Sequence, residues 1–419
     1  MRLALRIRQH PIAGLIAWFL VTFLVLFPKG GFKVGGIPLT WGYLMMGMSA
    51  LPLLAIRLIM VQLKVSRQLI AAIISVLPFQ ILFIFSYLQN GVDSLGYAIS
   101  IFSGFFILPF LFLVVYPPLL GLIDGVRFRR YLSFCIFAAA IYGIFLFVWH
   151  PITGSFIEIP FLTVNVDDYG LLESTKHIDR GTFLKLISTY NNGNVYGVAT
   201  LILLPLYNLL EKKRWKRVVV KIALVLTLSR TVWAGLIFEQ VLSFVVQIGR
   251  QMPKFPKFQY AGLIKRGLLV FATLALVLVG IVLNGTGLAF ILDSSLGGRG
   301  EQLQAFLRPT FLPGLPLTGF SEMMYSSALS LYGVTGFLAI ILIFITPIVM
   351  LMLDPQVMRD PVKRSGLKGL IIYAAVAAID GATDLIPVMA FYWFAYMTFL
   401  MGLPGQTSEV RSNKLSRPI

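Results

Sequence analysis

The sequence predicts an all-α, polytopic integral membrane protein, and three observations predict it. Of its 419 residues, 58% are hydrophobic and 12% charged, where a soluble domain carries roughly 45–50% and about 25%. Apolar stretches near the roughly 20 residues that a helix needs to cross the hydrocarbon recur along almost the entire chain. The basic residues behind a formal charge of +18 fall in the segments between those stretches. The excess therefore reads as membrane topology and implies no nucleic-acid partner.

The spans follow in order. The first runs from Ile12 to Pro28; the basic residues before it imitate a signal peptide, but no small-residue cleavage site follows and Pro28-Lys29-Gly30-Gly31 reads as a turn. Next come Leu39 to Ile56, Leu69 to Leu88, Leu95 to Tyr116, Tyr131 to Trp149 and Val195 to Leu210. From Val218 to Ile248 the chain is apolar for about twice the needed length and is interrupted at Ser229-Arg230, which predicts two short helices meeting at a hairpin. Gly267 to Leu283, Leu329 to Leu353, Leu367 to Ile379 and Leu385 to Gly402 bring the total to about twelve crossings, the penultimate one short and ended by Asp380-Gly381.

Counted with the amino terminus inside, one alternate set of loops holds 26 lysines and arginines and the other holds 8. The positive-inside rule then places both termini in the cytoplasm, across a bacterial inner membrane. Two outer segments are long, His150 to Asn194 and Asn284 to about Tyr325, and they carry most of the mixed charge and the glycine turns. A functional site is expected on that side. A single cysteine, Cys135, and three histidines without ligand spacing, His10, His150 and His177, leave neither a disulfide framework nor a zinc cage. No sequence repeat is visible, which weighs against an inverted-repeat transporter.

Several residues can carry chemistry. Arg230, in Leu226-Thr227-Leu228-Ser229-Arg230-Thr231, is a cation at the membrane that needs a partner or a route to the surface; it marks either a helix end or a site. Leu296-Gly297-Gly298-Arg299-Gly300-Glu301 can turn so that successive amides converge beside a guanidinium fork, an arrangement suited to phosphate and also to an ordinary loop. Arg180 leads to Tyr190-Asn191-Asn192-Gly193-Asn194 at the mouth of a span, where asparagines cap a helix or bind sugar hydroxyls, with Asn194 expected as the cap. Acidic candidates on the same side are Asp167, Asp168, Glu173, Asp179, Asp293, Glu301, Glu322, Asp380 and Asp384. Glu239 lies inside the eighth span with no obvious local partner, which allows proton coupling, protonation or a bond to a neighbouring helix.

Taken in order, these pieces resemble the O-antigen polymerase and ligase family of bacterial membrane glycosyltransferases. The likeness rests on Arg180-Gly181-Thr182-Phe183 running to Asn194, on Thr227-Leu228-Ser229-Arg230, and on Gly298-Arg299-Gly300-Glu301. It continues through Pro316-Leu317-Thr318-Gly319-Phe320 and Tyr325 to Gly333-Val334-Thr335-Gly336. The resemblance implies a donor glycan on undecaprenyl diphosphate, with Arg230 and Arg299 at its diphosphate, no metal or nucleotide cofactor, and a chain-length regulator as a possible partner. Substrate contacts are expected from Arg180, Asn191, Asn194 and Tyr325. Ligases of the family resemble a pattern with a histidine ahead of a tyrosine and a glycine pair; here Glu322 stands at that position. A carboxylate there serves as the general base, and the missing histidine favours a polymerase of O-antigen, capsule or exopolysaccharide repeat units over a ligase acting on a lipid A core. A flippase or other transporter is the alternative from a different class.

Overall fold

The computed structural model describes residues 11–34, 37–59, 66–171, 179–180, 183–251, 302, 306–307, 309–354, 359–383 and 385–403. It is mostly helical, 77% helix and 4% strand. The helices are α1 Pro11–Val21, α2 Trp41–Ile59, α3 Arg67–Asn90, α4 Leu95–Leu122, α5 Gly125–Thr153 and α6 Gly193–Leu210. They continue with α7 Arg214–Leu226, α8 Arg230–Gln251, α9 Met324–Leu353, α10 Pro361–Asp380 and α11 Ile386–Met401. Two small antiparallel ribbons, Gly31–Val34 with Ile37–Thr40 and Asp179–Arg180 with Phe183–Leu184, lie in connections.

Among the described residues five helices, α3, α4, α5, α6 and α9, are long and apolar enough to cross a membrane, and Pro11–Leu26, Trp41–Ala55 and Ile386–Met401 are shorter apolar helices. Twelve spans were expected; the ninth, Gly267 to Leu283, and most of the second long outer segment lie outside the described residues. Outward-facing side chains such as Leu77, Ile81, Leu88 and Met352 are exposed and apolar. A water-facing surface does not concentrate such residues on long helices; a lipid-facing one does.

The helix starts have ordinary chemical causes. Ser66 accepts from the Leu69 amide, Asp124 from those of Val126 and Arg127, and Asp360 from those of Val362 and Lys363, each satisfying amides that have no partner within the helix. The cap at Asp360 and Pro361 in the first turn explain why α10 starts six residues before the predicted Leu367: a hydropathy reading discards the charged first turns that the cap supports. Helix α4 carries two π-turns, Ser103–Ile107 and Leu111–Val115, and passes the predicted end at Tyr116.

The bundle is organised around α6, 78% of whose best apolar window is buried, against 39% for α3. Without a hydrophobic drive between helices in lipid, close backbone approach through small residues supplies the packing. A β-carbon at Gly369 of α10 would come within 2.3 Å of the Ile202 carbonyl oxygen of α6, and one at Gly197 of α6 within 2.1 Å of the Val232 side chain of α8. Gly235 of α8 is wedged between Leu201 of α6 and Val376 of α10 in the same way. These contacts make α6, α8 and α10 one rigid core.

Candidate functional site

The contacts within that core determine which residues stand level with one another. Gly235 meets Val376, and the Lys368 Nζ donates to the Ser243 hydroxyl at 3.0 Å. Helices α8 and α10 are thus antiparallel in a register that sets Arg230 opposite Asp380-Gly381. Gly197 meets Val232 and Leu201 meets Gly235, so α6 and α8 run parallel and Asn194 is level with Ser229-Arg230. The ends of three helices therefore converge on one patch.

That patch is polar and largely buried. The interruption predicted at Ser229 is real: helix α7 ends at Leu226, α8 begins at Arg230, and Leu228 between them takes a left-handed φ of 49°. Ser229 and Asp380 are buried and Arg230 is half-buried. The Asn194 side-chain amide donates to Asp380 Oδ2 at 2.8 Å, and the Ala382 amide donates to Asp380 Oδ1 at 3.3 Å. The Gly381 amide donates to the Glu322 carbonyl at 2.8 Å, which brings the exposed Glu322 side chain to the rim of the same patch. Carboxylates and a guanidinium thus share one end of the bundle.

The structure brings Arg230, Asn194 and Glu322 together from the residues the sequence singled out. Asn194 is not the cap: Asn192 accepts from the Asn194 and Val195 amides at 2.9 and 3.2 Å, which releases the Asn194 side chain for Asp380. Asn191, with a left-handed φ of 56°, is buried and donates to the Thr163 carbonyl at 3.0 Å. Tyr325 donates its hydroxyl to the Ala374 carbonyl at 2.7 Å and so ties α9 to α10. Arg180 sits in a two-residue ribbon of which the backbone is described, and Arg299 lies outside the described residues.

Two groups escape a reading of the sequence. Lys185, one of the eight basic residues of the outer segments, is 8% exposed, with its Cβ 3.4 Å from where a β-carbon on Gly193 would stand; the Thr227 carbonyl is 3.3 Å from the same point. The Leu186 amide donates to the Leu226 carbonyl at 3.0 Å, so this strand of loop seals the break between α7 and α8 and holds a second cation beside it. An apolar groove of roughly 730 Å³ reaches the same end. It is lined by Tyr43, Tyr97, Ile107 and the Leu385-Ile386 start of α11, with Lys29 at its edge, and the exposure of Tyr97 and Ile107 opens it on the lipid-facing side.

No family model and no curated protein matches the chain.

Glu239 belongs to the other end of the core. It is 5% exposed and accepts from Gln240 and from Ser243 at 3.1 Å, with the Lys221 ammonium at 3.7 Å. It therefore has partners both local, one turn along α8, and on α7, and the pair reads as a structural lock. Glu239→Leu should cost about 1–3 kcal/mol, because it removes the carboxylate beside the half-buried Lys221 ammonium and the acceptor of Ser243 and Gln240. Adding Lys221→Met should recover most of that loss in a detergent melting curve; failure of the double variant to recover would show that the carboxylate is needed for itself.

Proposed function

We propose that the protein is a membrane glycosyltransferase that polymerises oligosaccharide repeat units carried on undecaprenyl diphosphate, acting on the extracytoplasmic face. The observation that carries the reading is the convergence of Arg230, Asp380, Asn194 and Glu322 at one end of α6, α8 and α10, beside a buried Lys185 and an apolar groove. A polyprenyl chain requires apolar surface next to the headgroup, and a diphosphate requires cations at the depth where lipid meets water. In this reading the Leu385-Ile386 groove takes the lipid tail, and Arg230 with Lys185 neutralises the diphosphate.

The reaction balances with these groups. The acceptor hydroxyl oxygen forms a bond to the anomeric carbon of the donor while the bond from that carbon to the phosphate oxygen breaks, and the electron pair leaves with the lipid diphosphate. Arg230 and Lys185 stabilise the charge that grows on that leaving group. Glu322 takes the proton of the acceptor hydroxyl, a role open to a carboxylate at a solvated rim. Asp380, held by Asn194, orients the loop from which Glu322 is hung. Orientation supports the outward placement, because the opposite end holds Arg214, Arg217, Lys221, Arg364 and Lys368.

The test is reconstitution of the purified full chain in vesicles with a synthetic undecaprenyl-diphosphate oligosaccharide. A ladder of products lengthened by one repeat at a time is the expected result; transfer only when a lipid A core is added would make it a ligase. A second reading has one observation in its favour. Helix α9 is also broken, at Gly333 with φ 68°, where the Val334 and Thr335 amides turn to the Thr310 and Phe311 carbonyls at 2.9 and 3.3 Å. Paired broken helices occur in transporters. Movement of the donor across the vesicle membrane without any new glycosidic bond would decide for that class.

A further inference from the structure

The end of the core remote from Arg230 holds a second cavity, of roughly 290 Å³, between α6, α7, α8 and α10. That is close to the lower limit of about 300–1,000 Å³ typical of small-ligand sites. Its charged lining is Arg214, Arg217 and Lys221 from α7, Arg364 and Lys368 from α10, and Glu239 from α8. Among the described lining residues five cations face one carboxylate, and that carboxylate also accepts from Gln240 and Ser243. The Arg217 Nε is buried without a hydrogen-bond partner among the described residues. An unsatisfied guanidinium N–H in a cavity of like charges is costly to keep, since desolvation and mutual repulsion both oppose it. An anion relieves both.

We infer that this cavity is a binding site for a phosphate group, held by Arg217 with Arg214, Lys221, Arg364 and Lys368 around it. The first turns of α7 and α10 form its wall, so it lies at the depth of a lipid headgroup, and the exposed Trp215 and Leu209 flank it as interfacial and lipid-facing side chains do. Guanidinium forks suit the oxygens of phosphate, and lysines add point charge. The phosphate can belong to an anionic phospholipid or to a soluble phosphate. Its position at the opposite end of α6 from Asn194 and Asp380 makes it separate from the site of glycosyl transfer.

Native mass spectrometry of the full chain, offered phosphatidylglycerol or phosphatidylcholine in detergent, tests it, alongside thermal melting with inorganic phosphate in lipid-free detergent. Phosphatidylglycerol should remain bound to the wild-type chain, and Arg217→Gln should weaken it roughly tenfold, the loss of one charge-assisted hydrogen bond. Arg214→Gln, an exposed rim residue whose loss disturbs no packing, should weaken it by a smaller factor. Phosphatidylcholine binding should not change. If inorganic phosphate raises the melting temperature of the wild-type chain but not of Arg217→Gln, and phosphatidylglycerol shows no preference, the source is soluble and the site stands. Equal phosphatidylglycerol binding and equal phosphate response in the wild-type chain and both variants would overturn the inference.

Discussion

Replacing Arg230 by alanine is expected to lower the rate of glycosidic bond formation by about 10²–10³-fold, the effect of removing one preorganised donor from a site of developing negative charge. The expectation follows from position. Arg230 is the first residue of a helix that the break at Thr227–Ser229 starts at the same level as Asp380 and Asn194, and among the described residues the rest of the patch is acidic or neutral apart from Lys185. A lysine at 230 keeps the charge and loses the planar fork, so Arg230→Lys should retain an intermediate rate. Glu322→Gln should also slow the reaction, and its deficit should shrink as the pH is raised and the acceptor hydroxyl needs less help to lose its proton. Initial rates in vesicles with matched amounts of protein give the readout. If Arg230→Ala elongates donor as fast as the wild-type chain, the patch is not a diphosphate site and the proposed reaction fails with it.

The helices at this end were legible in the sequence because each carries a local signal. Apolar length placed α3, α6 and α11 to within a few residues, and the polar pair Ser229-Arg230 inside an overlong apolar run announced the break between α7 and α8. What stayed hidden is set by contacts remote in sequence. Asn192 and Asn194 are equivalent as letters; only the geometry of the turn gives the cap to Asn192 and sends Asn194 across to Asp380, 186 residues away. Lys185 looks like any loop lysine until the loop is laid over the helix break and buries it. The pairing of Glu239 with Lys221 is similar, because Lys221 is a charge inside a predicted span and its partner is on another helix. The tie that Tyr325 makes is hidden in the same way, since its hydroxyl is donated to the Ala374 backbone of another helix.

Gly369→Val is expected to be the most damaging substitution for folding, and the reason also links the core to the site. A β-carbon at that position would stand 2.3 Å from the Ile202 carbonyl oxygen and 3.3 Å from its carbon, both backbone atoms of the central helix α6. No rotamer change can relieve a clash with backbone, so α10 must move away from α6. Overpacking of a well-filled core costs about 1–3 kcal/mol where side chains can adjust, and a shifted helix costs more. The yield of monodisperse protein and its melting temperature should fall sharply. By contrast Gly96→Ala in α4, with nothing within 4 Å of the added carbon, should be neutral or slightly stabilising through helix propensity. The Asn194–Asp380 hydrogen bond joins the same two helices about three turns further along α10, so any fraction of Gly369→Val that does fold should hold Asp380 in the wrong place. Such protein should lose glycosyl transfer out of proportion to its loss of stability. If its activity per folded molecule is normal, the spacing of α6 and α10 does not position the reacting groups.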